Sequence, residues 1–248
     1  MTSPESSQRA DVFLVEKGFA ASRAEAQAAI EAGGVSADGR ILTKSSQTLR
    51  AGVDISYRKA HPYVSRGGLK LAGALDHFQL SPEGRVCLDI GASTGGFTEV
   101  LLLRGASRVF AVDVGHGQMN PRLERDPRVV KFEGLNGRDI TVRQISQTPT
   151  AIVADVSFIG LKLVLPPALT MAGQGAFLVA LIKPQFEVGR DQVGRGGLVK
   201  DEAAQEAAVD SIQEWLNLQP GWKVLGRIPS PILGGDGNRE FLLAAVKS

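Results

Sequence analysis

A chain of 248 residues with 43% hydrophobic positions and a net charge of +2 has enough apolar material for a core, and room for one large domain or a medium domain with a small one, which excludes a disordered polypeptide. The longest uninterrupted apolar run, Ala176 to Ile182, is seven residues where a membrane-spanning helix needs about 20, and Met1 to Gln8 shows neither the basic start nor the apolar run of a signal peptide, so a cytoplasmic protein without a membrane partner is expected. The single cysteine, Cys87, excludes an internal disulfide framework, and His61, His77 and His116 have no partner at metal-ligand spacing, so no metal is expected.

Up to about residue 60 the pattern is short and helical. Ala10 to Lys17 reads as a helix, Ser22 caps a second helix running through Glu31, and Gly33-Gly34 ends it. Asp38-Gly39 then turns a hairpin. Residues 40 to 70 hold seven bases (Arg40, Lys44, Arg50, Arg58, Lys59, Arg66, Lys70) against one acid, Asp54; such a stretch is either a phosphate-binding footprint or a solvated face. Tyr57 to Pro62 reads as a linker, because Pro62 disfavours helix at His61. A small domain is therefore expected over residues 1–60 and a larger one over 61–248.

Beyond residue 85, apolar strand-like runs alternate with helical patterns. The predicted strands are Val86 to Ile90, Arg108 to Val114, Val129 to Phe132, Ala151 to Val156, Ala176 to Ile182, Lys223 to Ile228 and Glu240 to Val246. Helical patterns fall at Gly96 to Arg104, Met119 to Arg125, Leu161 to Met171 and Asp201 to Leu218. Most connections are thus crossovers, which predicts a largely parallel, doubly wound α/β sheet. The short Gly/Pro-rich link Pro229 to Asn238 makes the last two strands an antiparallel pair at its end.

The turn after the first of these strands, Asp89-Ile90-Gly91-Ala92-Ser93-Thr94-Gly95-Gly96-Phe97, opens a helix. Gly91 and Gly96 hold the outer positions of a dinucleotide fingerprint, but Ser93 replaces the glycine that lets a pyrophosphate approach the backbone. A cationic sulfonium with an α-amino group, S-adenosylmethionine, suits this acidic, glycine-rich turn better. Asp113 ends the second strand 24 residues after Asp89, where a carboxylate accepts from both ribose hydroxyls. The candidate cofactor residues are Asp89, Gly91, Ala92, Ser93, Gly95, Gly96, Phe97, Asp113, Val114 and Asn136. The competing reading is that the glycines merely permit tight strand-to-helix packing.

Ligands of open α/β sheets lie beyond the carboxyl ends of the strands, where this chain places Asp155 and Lys183. Asp155-Val156-Ser157-Phe158 lacks the Pro-Pro-aromatic sequence usual in amino-group methyltransferases. Carbon methylation of pyrimidines needs a thiol nucleophile, and Cys87 lies inside a strand, where it reads as core. That leaves an oxygen acceptor such as a ribose hydroxyl, a poor acid that must lose its proton as it attacks. A lysine serves as base only where burial or a neighbouring cation lowers its pKa from about 10.4, and Lys70 is a candidate for that cation.

Ser65-Arg66-Gly67-Gly68-Leu69-Lys70-Leu71, Leu88 to Phe97, Ala111 to Gly115, Lys183-Pro184-Gln185-Phe186-Glu187-Val188-Gly189 and Gly237 to Phe241 closely resemble the hemolysin A (TlyA) family of ribosomal RNA methyltransferases, whose catalytic domain is FtsJ-like. The resemblance runs over about residues 9 to 246. It implies a small α+β RNA-binding domain of the alpha-L type joined to a Rossmann-like class I methyltransferase domain with a seven-stranded sheet whose last strand is antiparallel. It also implies 2′-O-methylation of ribose in ribosomal RNA, with a cytidine as target. The family's Lys-Asp-Lys-Glu tetrad falls on Lys70, Asp155, Lys183 and Glu240. In the small domain the alpha-L pattern makes Arg9, Arg23 and Lys44 the expected phosphate contacts, with Arg66 added from the larger domain, and ribosomal RNA or ribosomal subunits the partner.

Each tetrad member has a structural alternative. Asp155 reads equally as a helix cap, Lys70 as a solvated helix residue, and Glu240 as the surface partner of Arg239. Phe158 and Phe186 either sandwich a flipped base or pack in the core. Two rival functions are a membrane-lysing protein, which needs a spanning or amphipathic segment, and a non-catalytic ribosome-assembly factor, for which an intact tetrad has no use.

Overall fold

The computed structural model describes residues 7–248; the opening stretch read for a signal peptide lies, up to residue 6, outside the described residues. The chain divides into two compact units between Pro62 and Tyr63.

In the first unit, α1 (Ala10–Glu16) and α2 (Arg23–Glu31) pack on each other, with β1 (Gln8–Arg9) antiparallel to a short strand at Thr48–Leu49 (β4). Strands β2 (Val35–Ala37), β3 (Arg40–Ile41) and β5 (Ile55–Tyr57) make a second, antiparallel sheet in the order β3-β2-β5. The expected cap is present: Ser22 Oγ accepts from Glu25 N–H, a helix-terminal donor, and Glu25 Oε2 accepts from Ala21 N–H, which ties down the residue before the cap. The hairpin closes through Asp38 and Gly39 at φ 48° and 76°, the two left-handed positions such a turn demands. Phe13, Leu14, Ala26, Ile30, Val35, Leu42 and Leu49 form the core. Tyr57, expected in a linker, instead belongs to β5: its hydroxyl donates to Glu25, and Arg58 N–H donates to Gly34 O. Pairing with β2 overrides the loop-like composition there.

The second unit is a seven-stranded sheet of β6 (Val86–Ile90), β7 (Arg108–Val112), β8 (Val129–Phe132), β9 (Ala151–Ala154), β10 (Phe177–Ile182), β11 (Trp222–Pro229) and β12 (Phe241–Lys247), in the order β11-β12-β10-β9-β6-β7-β8. All seven predicted strands are present. β12 is antiparallel to both neighbours and inserts between β10 and β11 rather than extending the edge. The central strands are covered on both sides, so their residues alternate between two cores. Cys87, Val109, Val153 and Val179 face α3 (Gly67–His77) and α4 (Gly96–Leu103). Leu88, Phe110, Ile152 and Leu178 face α6 (Leu161–Val164), α7 (Pro166–Met171) and α9 (Glu202–Asn217). Such two-sided burial explains the continuous apolar runs.

Two helical readings are shortened by proline. Leu161 to Met171 is broken at Leu165, because Pro166 cannot donate to the preceding turn. Met119 to Arg125 contracts to α5 (Pro121–Glu124), started by Pro121 and capped by Asn120. Two helices had no predicted bounds: α3, opened by Gly67-Gly68 and containing Lys70, and the single turn α8 (Pro184–Glu187) directly after Lys183. Gly68 is required by packing, since a Cβ there would lie 2.4 Å from the Tyr63 ring. Among the described residues no helix is long and apolar enough to cross a membrane.

Candidate active site

The carboxyl ends of β6, β7, β9 and β10 open onto two adjoining cavities of about 300 and 880 Å³, which share Gly91, Ser93, Asp155 and Ser157 in their walls. Gly91 has φ 83°, and a Cβ on it would lie 2.2 Å from Asp155 O, so only glycine lets the turn after β6 pass this close to the end of β9. Gly91, Ala92, Ser93, Gly96 and Phe97 line the smaller cavity; Gly91, Ser93, Asp113, Val114 and Asn136 line the larger. Gly95 lines neither. It holds φ 94° with Leu123 against it, so its role is packing against α5.

Asp113 is more committed than its sequence position indicates. Its Oδ2 accepts from Ser93 N–H and its Oδ1 from Gly115 N–H, both at 2.7 Å. The carboxylate thus fixes two loops while each oxygen keeps a second lone pair for a ligand. Asn136 caps a short turn by accepting from Arg138 N–H.

Asp89 lines neither cavity; it is fully buried inside β6 behind the turn. Thr98 Oγ1 donates to its Oδ2 at 2.6 Å, while among the described residues Oδ1 has no hydrogen-bond partner. Burial pushes this carboxyl up to about 7, and the nearby Asp155 and Asp113 carboxylates push in the same direction. Asp113 and Asp155 line the cavities with Asp89 buried behind them, and a positive charge in the cavities would offset the repulsion among the three carboxylates. The residues present therefore fit a cationic sulfonium with an ammonium group.

The four expected tetrad residues form two ion pairs. Lys183 Nζ lies 2.6 Å from Asp155 Oδ1 and donates to Ser157 Oγ at 2.9 Å. Lys70 Nζ donates to Glu240 Oε2 at 2.5 Å, with both residues buried. Lys70, Asp155 and Lys183 line the smaller cavity, and Glu240 is held behind Lys70. The structural alternatives for Lys70 and Glu240 fail: Lys70 is buried rather than solvated, and Arg239 pairs with Glu202. Lys70, the candidate for a neighbouring cation, has its charge paired with Glu240.

Cys87 is wholly buried in the core, with its thiol pushed up to about 12 by burial, as an inert core thiol should be. Phe158 is not a core residue. It is 91% exposed, has φ 65° and meets the Phe186 ring at 5.1 Å between centroids. Arg66 lines the smaller cavity. Sequence reasoning missed Ser157 and Glu99. Glu99 is buried on α4, where it accepts from Val64 N–H at 2.5 Å and from Arg122. Its one signal was a carboxylate directly before the apolar run Val100 to Leu103.

In the first unit, Arg9 and Arg23 both donate to the buried Asp11, which also accepts from Gln27. The guanidinium groups hold the Asp11 carboxyl well below the usual carboxylate range. Both arginine side chains remain about half exposed, at 46% and 58%, so they stitch α1 to α2 while one positive charge of the trio stays uncompensated. Lys44 is exposed.

A family model described as FtsJ-like methyltransferase matches residues 63–247, and one described as S4 domain matches residues 8–55. The 16S/23S rRNA (cytidine-2'-O)-methyltransferase TlyA of Mycobacterium tuberculosis is 45% identical over 239 residues, covering 95% of this chain and 88% of the relative. A solved hemolysin-type protein from Streptococcus thermophilus superposes with a TM-score of 0.76 at 38% identity, covering 99% of this chain and 90% of that one. An O-methyltransferase from Bacillus cereus, solved in complex with SAH, is similar in fold alone: TM-score 0.52, 19% identity, 76% of this chain and 84% of that one.

Proposed function

The chain belongs to the FtsJ-like methyltransferases, in the hemolysin A (TlyA) family that adds an S4 domain, and from that premise we propose that it transfers a methyl group from S-adenosylmethionine to a ribose 2′-hydroxyl, that of a cytidine, in cytoplasmic ribosomal RNA. The observation that carries the reading is the Lys183–Asp155 pair in the wall of the smaller cavity, with Asp155 shared by the larger one. Nucleoside mass spectrometry of ribosomal RNA from cells with and without the gene tests it. A 2′-O-methylcytidine that disappears with the gene is the expected result, and an unchanged nucleoside profile sinks it.

In this reading the glycine turn and Asp113 hold the adenosine side of the cofactor, and buried Asp89 supplies negative potential behind its cationic end. The cofactor brings an electrophilic methyl group. Lys183 faces the acceptor, either as a neutral amine that takes up the hydroxyl proton or as an ammonium that balances the developing alkoxide; Asp155 and Ser157 hold its Nζ in place. Phe158 and Phe186 offer the base of the target nucleotide an aromatic surface. Asp113→Ala removes both loop ties and a ribose acceptor, and should cost on the order of 2 kcal/mol or more in cofactor binding, roughly thirtyfold in Kd. Calorimetry giving equal affinity would contradict that assignment.

We further assign residues 1–60, with Arg9, Arg23 and Lys44, to RNA contact. The second unit has two cores of its own, so a protein beginning near residue 61 should fold and bind cofactor while losing most methylation of ribosomal particles. Binding by the whole chain should weaken steeply with salt, because phosphate contacts release counterions. Full activity of the shortened protein on intact subunits would refute the division of labour.

A further inference from the structure

Part of the wall of the larger cleft is built from two segments that lie beyond the last residues paired between β9 and β10, Ala154 and Ala180. One is the turn 156–160 after β9, which contributes Ser157, Phe158 and Gly160; the other follows β10 and contributes Gln185 and Phe186. No strand hydrogen bond joins them there. Glu187 does: its Oε1 accepts from Leu161 N–H at 2.8 Å, and a Cβ at Gly160 would lie only 3.2 Å from its Oε2. A left-handed conformation at an aromatic residue is costly and persists only where the surroundings impose it. Phe158 keeps φ 65° with its ring almost fully exposed, so ring burial does not hold it in place.

We propose that Glu187 is a positioning residue for the acceptor, clamping the 156–160 turn to the α8 segment so that Phe158, Phe186 and Ser157 keep their places beside Lys183. The proposal rests on the RNA-methylation reading above. Burial pushes the Glu187 carboxyl up to about 7, while the Leu161 N–H and the charge of Lys162 pull it down. Lys162 is the charged side chain acting on it, and its Nζ donates to Ser211 Oγ. An ionised carboxylate accepts more strongly than a carboxylic acid, so the clamp tightens as pH rises through about 7 and loosens below.

The test compares Glu187→Ala and Glu187→Gln with the wild-type full chain, using S-adenosylmethionine and ribosomal RNA. The alanine variant should raise KM for RNA about tenfold, leave cofactor Kd within about twofold, and speed exchange of the Leu161 amide about tenfold. Glutamine keeps an acceptor oxygen but does not titrate. Its KM should stay within about threefold of wild type at pH 8 and lose the rise that wild type shows on going to pH 6. An unchanged KM in the alanine variant, a matching loss of cofactor affinity, or a glutamine variant with the wild-type pH profile overturns the proposal. If the alanine variant does not fold, the glutamine profile decides alone. A wild-type protein that methylates no RNA would instead refute the function, and the Leu161 amide exchange rates would still report on the clamp.

Discussion

Glu240→Ala should destabilise the second unit by about 3 kcal/mol or more, because it strands the Lys70 ammonium without its counter-ion in a buried site. For a chain of this size that is roughly 6 to 12 °C in Tm. Lys70 and Glu240 are 7% and 4% exposed and meet at 2.5 Å, so although Lys70 lines the smaller cavity, little of it reaches water to offset the lost carboxylate. The double variant Lys70→Met with Glu240→Met should recover much of the loss, since two apolar side chains of similar volume remove the unpaired charge. Methyl transfer should not return with the stability, because Lys70 lines the cavity beside Lys183. Thermal or denaturant unfolding gives the first comparison and single-turnover transfer the second. A Glu240→Ala protein that melts within about 2 °C of wild type would mean that the pair is not buried as described.

That pair also marks the limit of what the linear sequence reveals. Lys70 and Glu240 are 170 positions apart, and nothing local to either names the other. Only similarity to a family brought them together beforehand. The strands were legible because β6, β7, β9 and β10 are buried on both faces and so read as largely apolar runs, interrupted in β6 by Asp89 and led in β7 by Arg108. The insertion of β12 between β10 and β11 was not, since strand order is decided by pairing between distant segments rather than by composition. No bounds for helix α3 were predicted because it opens on Gly67-Gly68, residues that ordinarily break a helix; Gly68 is kept here for the close approach of Tyr63. The Asp89 to Phe97 turn and Asp113 were visible as a motif. The double backbone tie of Asp113 was not, and neither was the bridge from Glu187 to Leu161, because both depend on loop conformations that sequence spacing does not encode.

Lys183→Ala should leave the fold nearly intact and lower the methyl-transfer rate by about 10² or more. The contrast with Glu240 is physical. The Lys183–Asp155 pair lines the cavity, with Asp155 21% exposed at its side chain, so water solvates the abandoned carboxylate at little cost. Cofactor affinity should hardly change, since in the proposed geometry the ammonium faces the acceptor rather than the adenosine. Lys183→Arg then separates two roles. Arginine keeps the positive charge and can still pair with Asp155, but it does not give up its proton at any pH the protein survives, so a base function is lost while electrostatic stabilisation remains. A rate for the arginine variant as low as that of alanine assigns proton transfer to Lys183. Near-wild-type single-turnover activity in the arginine variant would make Lys183 a stabiliser of the alkoxide. The proton would then leave through Asp155, the ionisable group shared by the walls of both cavities, and Asp155→Asn should abolish the reaction where Lys183→Arg did not.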